Sequence, residues 1–318
     1  METGPRMLPA MNRRTFFAAL LALAALVVPA HADERVLYEK PSAYSTIIVT
    51  EDEAGLRTLR FEKNGARQSV VKPGEPEYLA LPYASVMLAG LALSEDPRRI
   101  LIVGLGGGTL PMFIRRHYPD AMIDAVDVDP DVVHVAKEFF GFREDSRMQA
   151  HVDDGRKFIE KSRQPYDLIF LDAFGIDSVP EHLATQEFLQ AVRRAVKPGG
   201  GVVSNLWGPG YNRLYGAMVR TYQEVFDEIF ILEVRDAGNK ILLALPRKQP
   251  LTRDKLTLMA RKVSTAKRFR FDLGDLVNYG YLHAHEKNQR ERVLRDADSA
   301  QRRQNGLPAS SLSDGPKN

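Results

Sequence analysis

Strand-like and helix-like segments alternate between residues 99 and 245, and this alternation constrains the fold of the chain more than any other feature. Short apolar runs predict strands, and apolar residues at helical spacing predict helices. The predicted strands are 100–103, 122–128, 150–152, 166–171, 201–205, 229–233 and 241–244, with helices at 110–118, 132–140, 156–161, 185–196 and 211–225. Such an order predicts an α/β fold, in which a doubly wound, mostly parallel sheet carries helices on both faces.

The segments on either side of this unit divide the chain into four parts. We predict an export signal at 1–32, a small N-terminal β unit with a linking helix at 33–85, the nucleoside-binding catalytic unit at 86–248, and a C-terminal extension at 249–318 that is polar and partly disordered after 286. Within the β unit, Asn64-Gly65 between two strand-like runs predicts a hairpin. With 44% apolar residues the chain can bury a sizeable core.

The first 32 residues have the pattern of a cleaved signal peptide. Arg13 and Arg14 precede an apolar run of 14 residues from Thr15 to Val28, and Ala30-His31-Ala32 supplies the small residues of a cleavage site. A membrane-spanning helix needs about 20 residues, so no stable membrane span is expected after cleavage. The sequence therefore predicts a periplasmic or secreted bacterial protein, exported by the general secretory route or, because of the paired arginines, by the twin-arginine route.

Charge and cysteine content exclude several classes of function. Lys and Arg number 44 against 41 Asp and Glu, and the resulting charge of +3 is spread along the chain. We therefore expect no nucleic-acid partner, since no basic stripe with interleaved aromatic residues is present. The absence of cysteine excludes disulfides, thiolate nucleophiles and cysteine-ligated metals. His283 and His285 are interpreted as a solvated pair, and no metal site is predicted.

A glycine-rich turn follows the first strand of the alternating unit. Gly104, Gly106 and Gly107 belong to this turn, which opens a predicted helix and allows backbone N–H groups to approach a ligand closely. Asp127 lies 21 residues beyond Gly106, at the end of the next strand. This is the spacing at which a carboxylate accepts hydrogen bonds from ribose hydroxyls. The turn and Asp127 therefore predict a nucleoside site.

Two further carboxylates follow later strands of the same unit. Asp154 comes after the third strand and Asp172 directly after the fourth. The carboxyl ends of strands in an open α/β sheet face one ligand crevice, so Asp127, Asp154 and Asp172 are expected to converge. Three acids around one nucleoside suit a cationic sulfonium compound better than a pyrophosphate. The predicted ligand is thus a sulfonium nucleoside rather than a dinucleotide.

The ordered set of motifs in this region resembles the spermidine synthase, or polyamine aminopropyltransferase, family. That family has the Rossmann-like fold of class I S-adenosylmethionine-dependent methyltransferases. The motifs that carry the resemblance are GLGGGTLP (104–111), VDVDP (126–130), DDGRKF (153–158), YDLIFLDAF (166–174), VPEHL (179–183) and KPGG (197–200). The small β unit ahead of the main domain also fits the layout of the family.

The resemblance implies a transferase that moves an aminopropyl group from decarboxylated S-adenosylmethionine to a diamine such as putrescine, with no metal. It implies that Asp172 is the catalytic aspartate. An amine with a pKa of about 10 is protonated at neutral pH and must lose a proton before it attacks carbon, and a carboxylate can accept that proton. Asp127 would hold the ribose, and Asp154 with Gly155 would contact the adenine. Gln68 and Tyr83 match positions that line the amine and cofactor pocket, and Asp177 is a candidate second acid.

Three departures from the family pattern leave the substrates open. Thr109 stands where the family carries an acid in its glycine motif, Tyr83-Ala84-Ser85 replaces a tyrosine–histidine–glutamate cluster, and residues 172–177 differ from the family's catalytic loop. One alternative is methyl transfer from S-adenosylmethionine itself to an unknown acceptor. Another is a non-catalytic exported protein that binds a nucleoside or a polyamine. The sequence also leaves the oligomeric state open, a homodimer included.

Overall fold

A computed structural model describes residues 34–175 and 179–298 of the protein. The predicted export signal, Asp177 and the last part of the C-terminal extension lie outside these described residues. Within the described ranges, no helix combines the length and the apolar character needed to cross a membrane.

The N-terminal part of the described chain folds as a four-stranded antiparallel sheet. Its strands, in spatial order, are β1 (Arg35–Pro41), β2 (Thr46–Glu51), β3 (Arg57–Arg60) and β4 (Arg67–Val71). Asn64 has a positive φ of 62° in the β3–β4 connection, where the hairpin was predicted. Ile47, Val49 and Leu59 on one face of the sheet are fully buried. The unpredicted β1 is mostly exposed, so it has no apolar pattern by which to recognise it.

The predicted linking helix is not one regular helix but a short α-helix followed by a 3-10 helix. Helix α1 (Pro82–Met87) begins with proline in its first turn, a position that suits the fixed φ of that residue. A 3-10 helix (Leu88–Leu93) follows and is buried throughout. A Cβ at Gly90 would overlap the side chain of Val203, so this segment lies in close contact with the main sheet.

The main sheet has eight strands in the order β12-β10-β11-β9-β8-β5-β6-β7. They are β5 (Arg99–Val103), β6 (Met122–Asp127), β7 (Met148–Val152), β8 (Tyr166–Leu171), β9 (Val196–Trp207), β10 (Glu228–Glu233), β11 (Asn239–Leu245) and β12 (Tyr281–His283). Strands β5 to β9 pair in parallel, and β10 to β12 are attached antiparallel at the β9 edge. The predicted Rossmann-like, mostly parallel α/β fold is confirmed.

Helices cover both faces of this sheet. They are α2 (Thr109–His117), α3 (Pro130–Phe139), α4 (Gly155–Lys161), α5 (Gln186–Ala195), α6 (Tyr215–Val225), α7 (Arg253–Ala266) and α8 (Leu273–Tyr279), with a 3-10 turn at Glu181–Leu183. One core cluster includes residues of α1, α2, α7 and α8, and a second includes residues of α4, α5 and α6. The side chains of Asp129, Asp154 and Thr185 cap the N-termini of α3, α4 and α5.

The segment predicted as a C-terminal extension contributes to the fold up to the end of the described chain. Leu256 and Leu273, from α7 and α8, are fully buried in the same core cluster as α1, and β12 pairs with β10. Beyond residue 286, Leu294 is buried and both carboxylate oxygens of Asp296 accept from Arg156 at 2.7 Å. The buried stripe of α7 is narrow and α8 has only seven residues, so the sequence shows little periodicity here and suggested a polar extension.

Candidate functional site

A cavity of about 600 Å³ lies at the carboxyl ends of the parallel strands, between the glycine turn, the N-terminal sheet and α1. Its walls include most of the site residues predicted from the sequence: Gln68, Tyr83, Gly104, Gly106, Asp127, Asp154, Gly155 and Asp172. Gly107 is not among the residues that line the cavity. A Cβ at this position would lie 2.8 Å from the ring of Phe140 and 2.9 Å from Ser69 Oγ. We conclude that Gly107 permits close packing behind the cavity wall.

The glycine turn joins β5 to α2 in a conformation that requires glycine. Gly104 has a φ of +97°, and a Cβ at this position would overlap the backbone carbonyl of Asp172. Its N–H donates to the carbonyl oxygen of Val126 on the neighbouring strand at 2.8 Å. Gly106 and Gly108 also have positive φ values, of 53° and 78°. The turn therefore lies directly against the ends of β6 and β8.

Asp127 ends β6 and faces the cavity beside this turn. Its carboxylate oxygens accept from the backbone N–H of Leu105 at 2.9 Å and from that of Asp129 at 3.0 Å. Burial raises the pKa of Asp127 to about 6, although the backbone donors act in the opposite direction. The carboxylate is thus held in a fixed orientation with part of its surface open to a ligand in the cavity.

Asp154 connects α4 to the loop that borders the cavity. One carboxylate oxygen caps α4 by accepting from the N–H of Lys157 at 3.0 Å, and the other lies 2.9 Å from His182 Nε2. A Cβ at Gly155 would overlap Val103, so glycine lets the start of α4 approach β5 closely. His182 was noted in the sequence only as part of a family motif, and its contact with Asp154 carries no local sequence signal.

Asp172 follows β8 directly and lies at the opposite side of the glycine turn from Asp127. Its Oδ1 accepts from Asn205 Nδ2 at 2.9 Å. The nearby Tyr83 hydroxyl donates to the backbone carbonyl of Gln68 at 3.4 Å. Burial raises the pKa of Asp172 to about 7, although Asn205 and Tyr83 act in the opposite direction. Burial, together with the nearby Asp172, raises the pKa of Tyr83 well above its ordinary value, so Tyr83 is a neutral donor.

The cavity wall near the start of α2 carries a pair of hydroxyl groups. Ser69 Oγ on β4 and Thr109 Oγ1 lie 3.2 Å apart, and Ser69 is almost fully buried. Thr109 occupies the position at which the family resemblance implies an acid. This part of the wall is therefore polar and uncharged, and Ser69 was not predicted from the sequence.

The charged residues of the cavity wall are mostly acidic. Four carboxylates line it against one lysine and one histidine: Asp127, Asp153, Asp154, Asp172, Lys157 and His182. Such a lining favours a ligand that carries positive charge. In the described ranges, no group of three or more His, Asp or Glu side chains is arranged to hold a metal ion.

The fold and the cavity together define a transferase of the class I methyltransferase architecture. The family described as the spermine/spermidine synthase domain matches residues 82–231. The polyamine aminopropyltransferase of Vibrio vulnificus is 34% identical over 227 residues, which cover 68% of this chain and 75% of that protein. The chain belongs to the spermine/spermidine synthase family.

Two solved structures share this fold. A probable spermidine synthase from Corynebacterium glutamicum superposes with a TM-score of 0.61 at 21% identity, covering 72% of this chain and 93% of that one. Human methyltransferase-like protein 13, solved in complex with SAH, superposes with a TM-score of 0.54 at 30% identity, covering 59% of this chain and 93% of that one. The fold of this chain is therefore similar both to that of a probable spermidine synthase and to that of a methyltransferase-like protein.

Proposed function

We propose that the protein transfers an aminopropyl group from decarboxylated S-adenosylmethionine to an amine nitrogen of a diamine such as putrescine. The observation that carries the proposal is the placement of Asp127 and Asp172 on either side of the glycine turn in one cavity. Asp127 suits the ribose of the donor, and Asp172 suits a proton acceptor for the amine. The family membership and the similarity to a polyamine aminopropyltransferase support the same assignment.

The nucleoside of the donor fits the side of the cavity formed by Asp127, Asp154 and Gly155. Ribose hydroxyls would donate to the Asp127 carboxylate, whose orientation is fixed by two backbone N–H groups. The adenine amino group would approach Asp154, which His182 and the cap of α4 already hold in place. The acidic lining favours the positive charge on the donor's sulfur.

The transfer step needs a neutral amine and a carboxylate that accepts one proton. An alkylammonium has a pKa of about 10 and gives its proton to the Asp172 carboxylate. The amine lone pair then forms a bond to the carbon next to sulfur while the carbon–sulfur bond breaks, and its electron pair stays on sulfur. The products are the alkylated ammonium and neutral methylthioadenosine, and Asp172 returns its proton to solvent. With a pKa of about 7, Asp172 can exchange this proton near neutral pH.

Methyl transfer from S-adenosylmethionine is a second candidate, favoured by one specific observation. The Ser69–Thr109 pair is uncharged at the position where the family resemblance implies a carboxylate. Without that carboxylate, the wall offers less attraction to the primary ammonium of an aminopropyl donor. The 30% identity to a methyltransferase-like protein solved with SAH supports this alternative.

Identification of the nucleoside product separates the two candidates. Purified protein is incubated with each donor and a panel of diamines, with the Asp172→Asn variant as control, and the products are analysed by mass spectrometry. Methylthioadenosine and an aminopropylated amine are expected from the decarboxylated donor. Formation of S-adenosylhomocysteine from the intact donor alone would establish methyl transfer instead. Nucleoside binding without turnover of either donor would establish a binding protein.

We also propose that the protein is exported through its N-terminal signal. The proposal rests on Arg13, Arg14, the following apolar run and the Ala30-His31-Ala32 site. N-terminal sequencing of protein from a fractionated bacterial host is expected to find a mature chain that begins near Asp33. An intact signal segment in the cytoplasmic fraction would contradict export. If the twin-arginine route is used, replacing both arginines by lysine blocks export.

A further inference from the structure

Two buried asparagines extend from Asp172 across the main sheet. Asn205, on β9, is 2% exposed and donates from Nδ2 to Asp172 Oδ1 at 2.9 Å. Asn239, at the start of β11, is 6% exposed and donates from Nδ2 to Asn205 Oδ1 at 2.9 Å. The three side chains form a hydrogen-bonded chain whose end at Asp172 faces the cavity.

The contacts of Asn205 fix the orientation of its side-chain amide. Its nitrogen faces the carboxyl group of Asp172, which only accepts when it is ionised, and its oxygen faces the amide nitrogen of Asn239, which only donates. If the amide were turned over, its oxygen would face the Asp172 carboxylate and its nitrogen would face another donor. Asn239 therefore makes the orientation that supports Asp172 the stable one.

The core does not need these polar groups for packing. Val202, Val203 and Leu206, neighbours of Asn205 on β9, are buried apolar residues. A buried amide costs free energy unless its hydrogen bonds are made, and a well-packed apolar residue would avoid that requirement. The pair instead fixes one oxygen of Asp172 from the adjacent strands of the sheet. The hydrogen bond also stabilises the ionised carboxylate, the form that accepts a proton.

We propose that Asn205 and Asn239 are positioning residues that hold the Asp172 carboxylate in the orientation in which it takes the proton from the acceptor amine. Asn205 acts on Asp172 directly, and Asn239 acts through Asn205. The role in proton transfer rests on the proposed function. The claim that the two asparagines hold the Asp172 carboxylate does not, and it has its own test.

Other ionisable groups near Asp172 are the same in every variant of the test. Tyr83, from α1, lies near enough to lower the pKa of the carboxyl group. The other charged or titratable residues of the described cavity wall are Tyr44, Asp127, Asp153, Asp154, Lys157 and His182. Their contribution cancels when variants at Asn205 and Asn239 are compared with the wild type at each pH.

The test compares Asn205→Leu and Asn239→Leu with a matched control, Asn212→Leu. Asn212 is also buried, at 4% exposure, but its side chain contacts Leu214 and Met218. Loss of a donor to a carboxylate raises the pKa of that carboxylate. We expect the acidic limb of the kcat–pH profile to move up by about one pH unit in Asn205→Leu and by less in Asn239→Leu. Donor affinity should stay unchanged, and the control should not move the limb.

A second measurement does not depend on turnover. NMR titration of the Asp172 carboxyl carbon, assigned by its loss in Asp172→Asn, gives the pKa of this group in each folded variant. An upward shift in Asn205→Leu and Asn239→Leu, absent from Asn212→Leu, supports the inference even if no amine is turned over. An unmoved Asp172 titration would overturn it. Failure of the proposed function is recognised separately, as absence of product from wild-type protein.

Discussion

The two halves of the cavity are built in different ways. In the half to which we assign the nucleoside (the nucleoside half: Gly104, Gly106, Asp127, Asp154 and Gly155), each residue ends a parallel strand, lies in the turn that follows it or opens the next helix. The acceptor half is formed by Gln68, Ser69, Tyr83, Thr109 and Asp172, drawn from β4, α1, α2 and the end of β8. Local chain geometry therefore determines the first half, whereas the second depends on contacts between distant segments.

This difference explains which half retains the family pattern. The nucleoside half keeps the glycine motif and both acids, because the turn, the caps and the strand ends also support the fold. The acceptor half carries the departures, including Thr109 in place of an acid. We therefore expect nucleoside binding to be separable from recognition of the transferred group and of the acceptor, so that variants in the two halves affect different quantities.

The largest effect is expected from Asp172→Asn in the acceptor half. Asparagine keeps the shape of the side chain but cannot accept the proton, so turnover should fall roughly 10²–10⁴-fold. Wild-type activity should rise as pH increases through about 7, where Asp172 ionises, and the variant should be partly rescued at alkaline pH. Steady-state kinetics and calorimetric donor titration are the measurements. An equal loss of donor affinity would mean that the two halves are not separable.

The same substitution should stabilise the folded protein at neutral and alkaline pH. The pKa of Asp172 is raised from 3.8 to about 7 in the folded state, so the unfolded chain ionises first as pH rises. Ionisation of Asp172 therefore lowers the stability of the wild type between about pH 4 and pH 7, and the Asp172→Asn variant lacks this particular loss. At about 1.4 kcal/mol for each tenfold change, the variant should gain on the order of 2–4 kcal/mol at pH 8 and almost nothing at pH 4.

Urea unfolding of both proteins at pH 4 and pH 8 measures this difference. Other titrating groups, Asp127 included, cancel because they are present in both chains. A variant that is less stable than wild type at pH 8 would contradict the burial of an ionised Asp172.

Asp127→Ala tests the nucleoside half. Loss of hydrogen bonds to a charged carboxylate should weaken methylthioadenosine binding by roughly 1–3 kcal/mol. Because the pKa of Asp127 is about 6, wild-type affinity should increase from pH 5 to pH 7, and the variant should lose this dependence. Calorimetric titration is the measurement, with the exposed Asp120→Ala as control. Unchanged affinity in Asp127→Ala would remove Asp127 from the ribose site.

The smallest effect is expected from Thr109→Asp. A carboxylate at this position would attract the primary ammonium of the aminopropyl donor, and we expect about tenfold improved selection of the decarboxylated donor over the intact one. Thr109→Val removes the hydroxyl without adding charge and is the matched control. Competition between the two donors measures the ratio. An equal change in both variants would indicate that the Ser69 contact, and not charge, sets the preference.

The sequence predicts the parallel sheet well, and it predicts the convergence of Asp127, Asp154 and Asp172 on one cavity, because the signals are local. The glycine turn, the spacing to Asp127 and the acids after the strands all lie within short segments. Ser69, Asn205 and His182 were missed as site residues, since each gains its role from a partner at least 28 residues away. Helices α7 and α8 were also missed, because α7 buries only a narrow stripe of its surface and α8 has only seven residues.

The contact between Gly104 and Asp172 has a consequence for which substitutions this site can accept. The N–H of Asp172 donates to the carbonyl oxygen of Val103 at 2.8 Å, and the absent Cβ of Gly104 leaves room for the Asp172 carbonyl. Main-chain atoms, rather than side chains, thus fix the spacing between the glycine turn and Asp172. Side chains such as Gln68, Ser69 or Thr109 can be exchanged, and the groups bound beside them changed, without resetting that spacing.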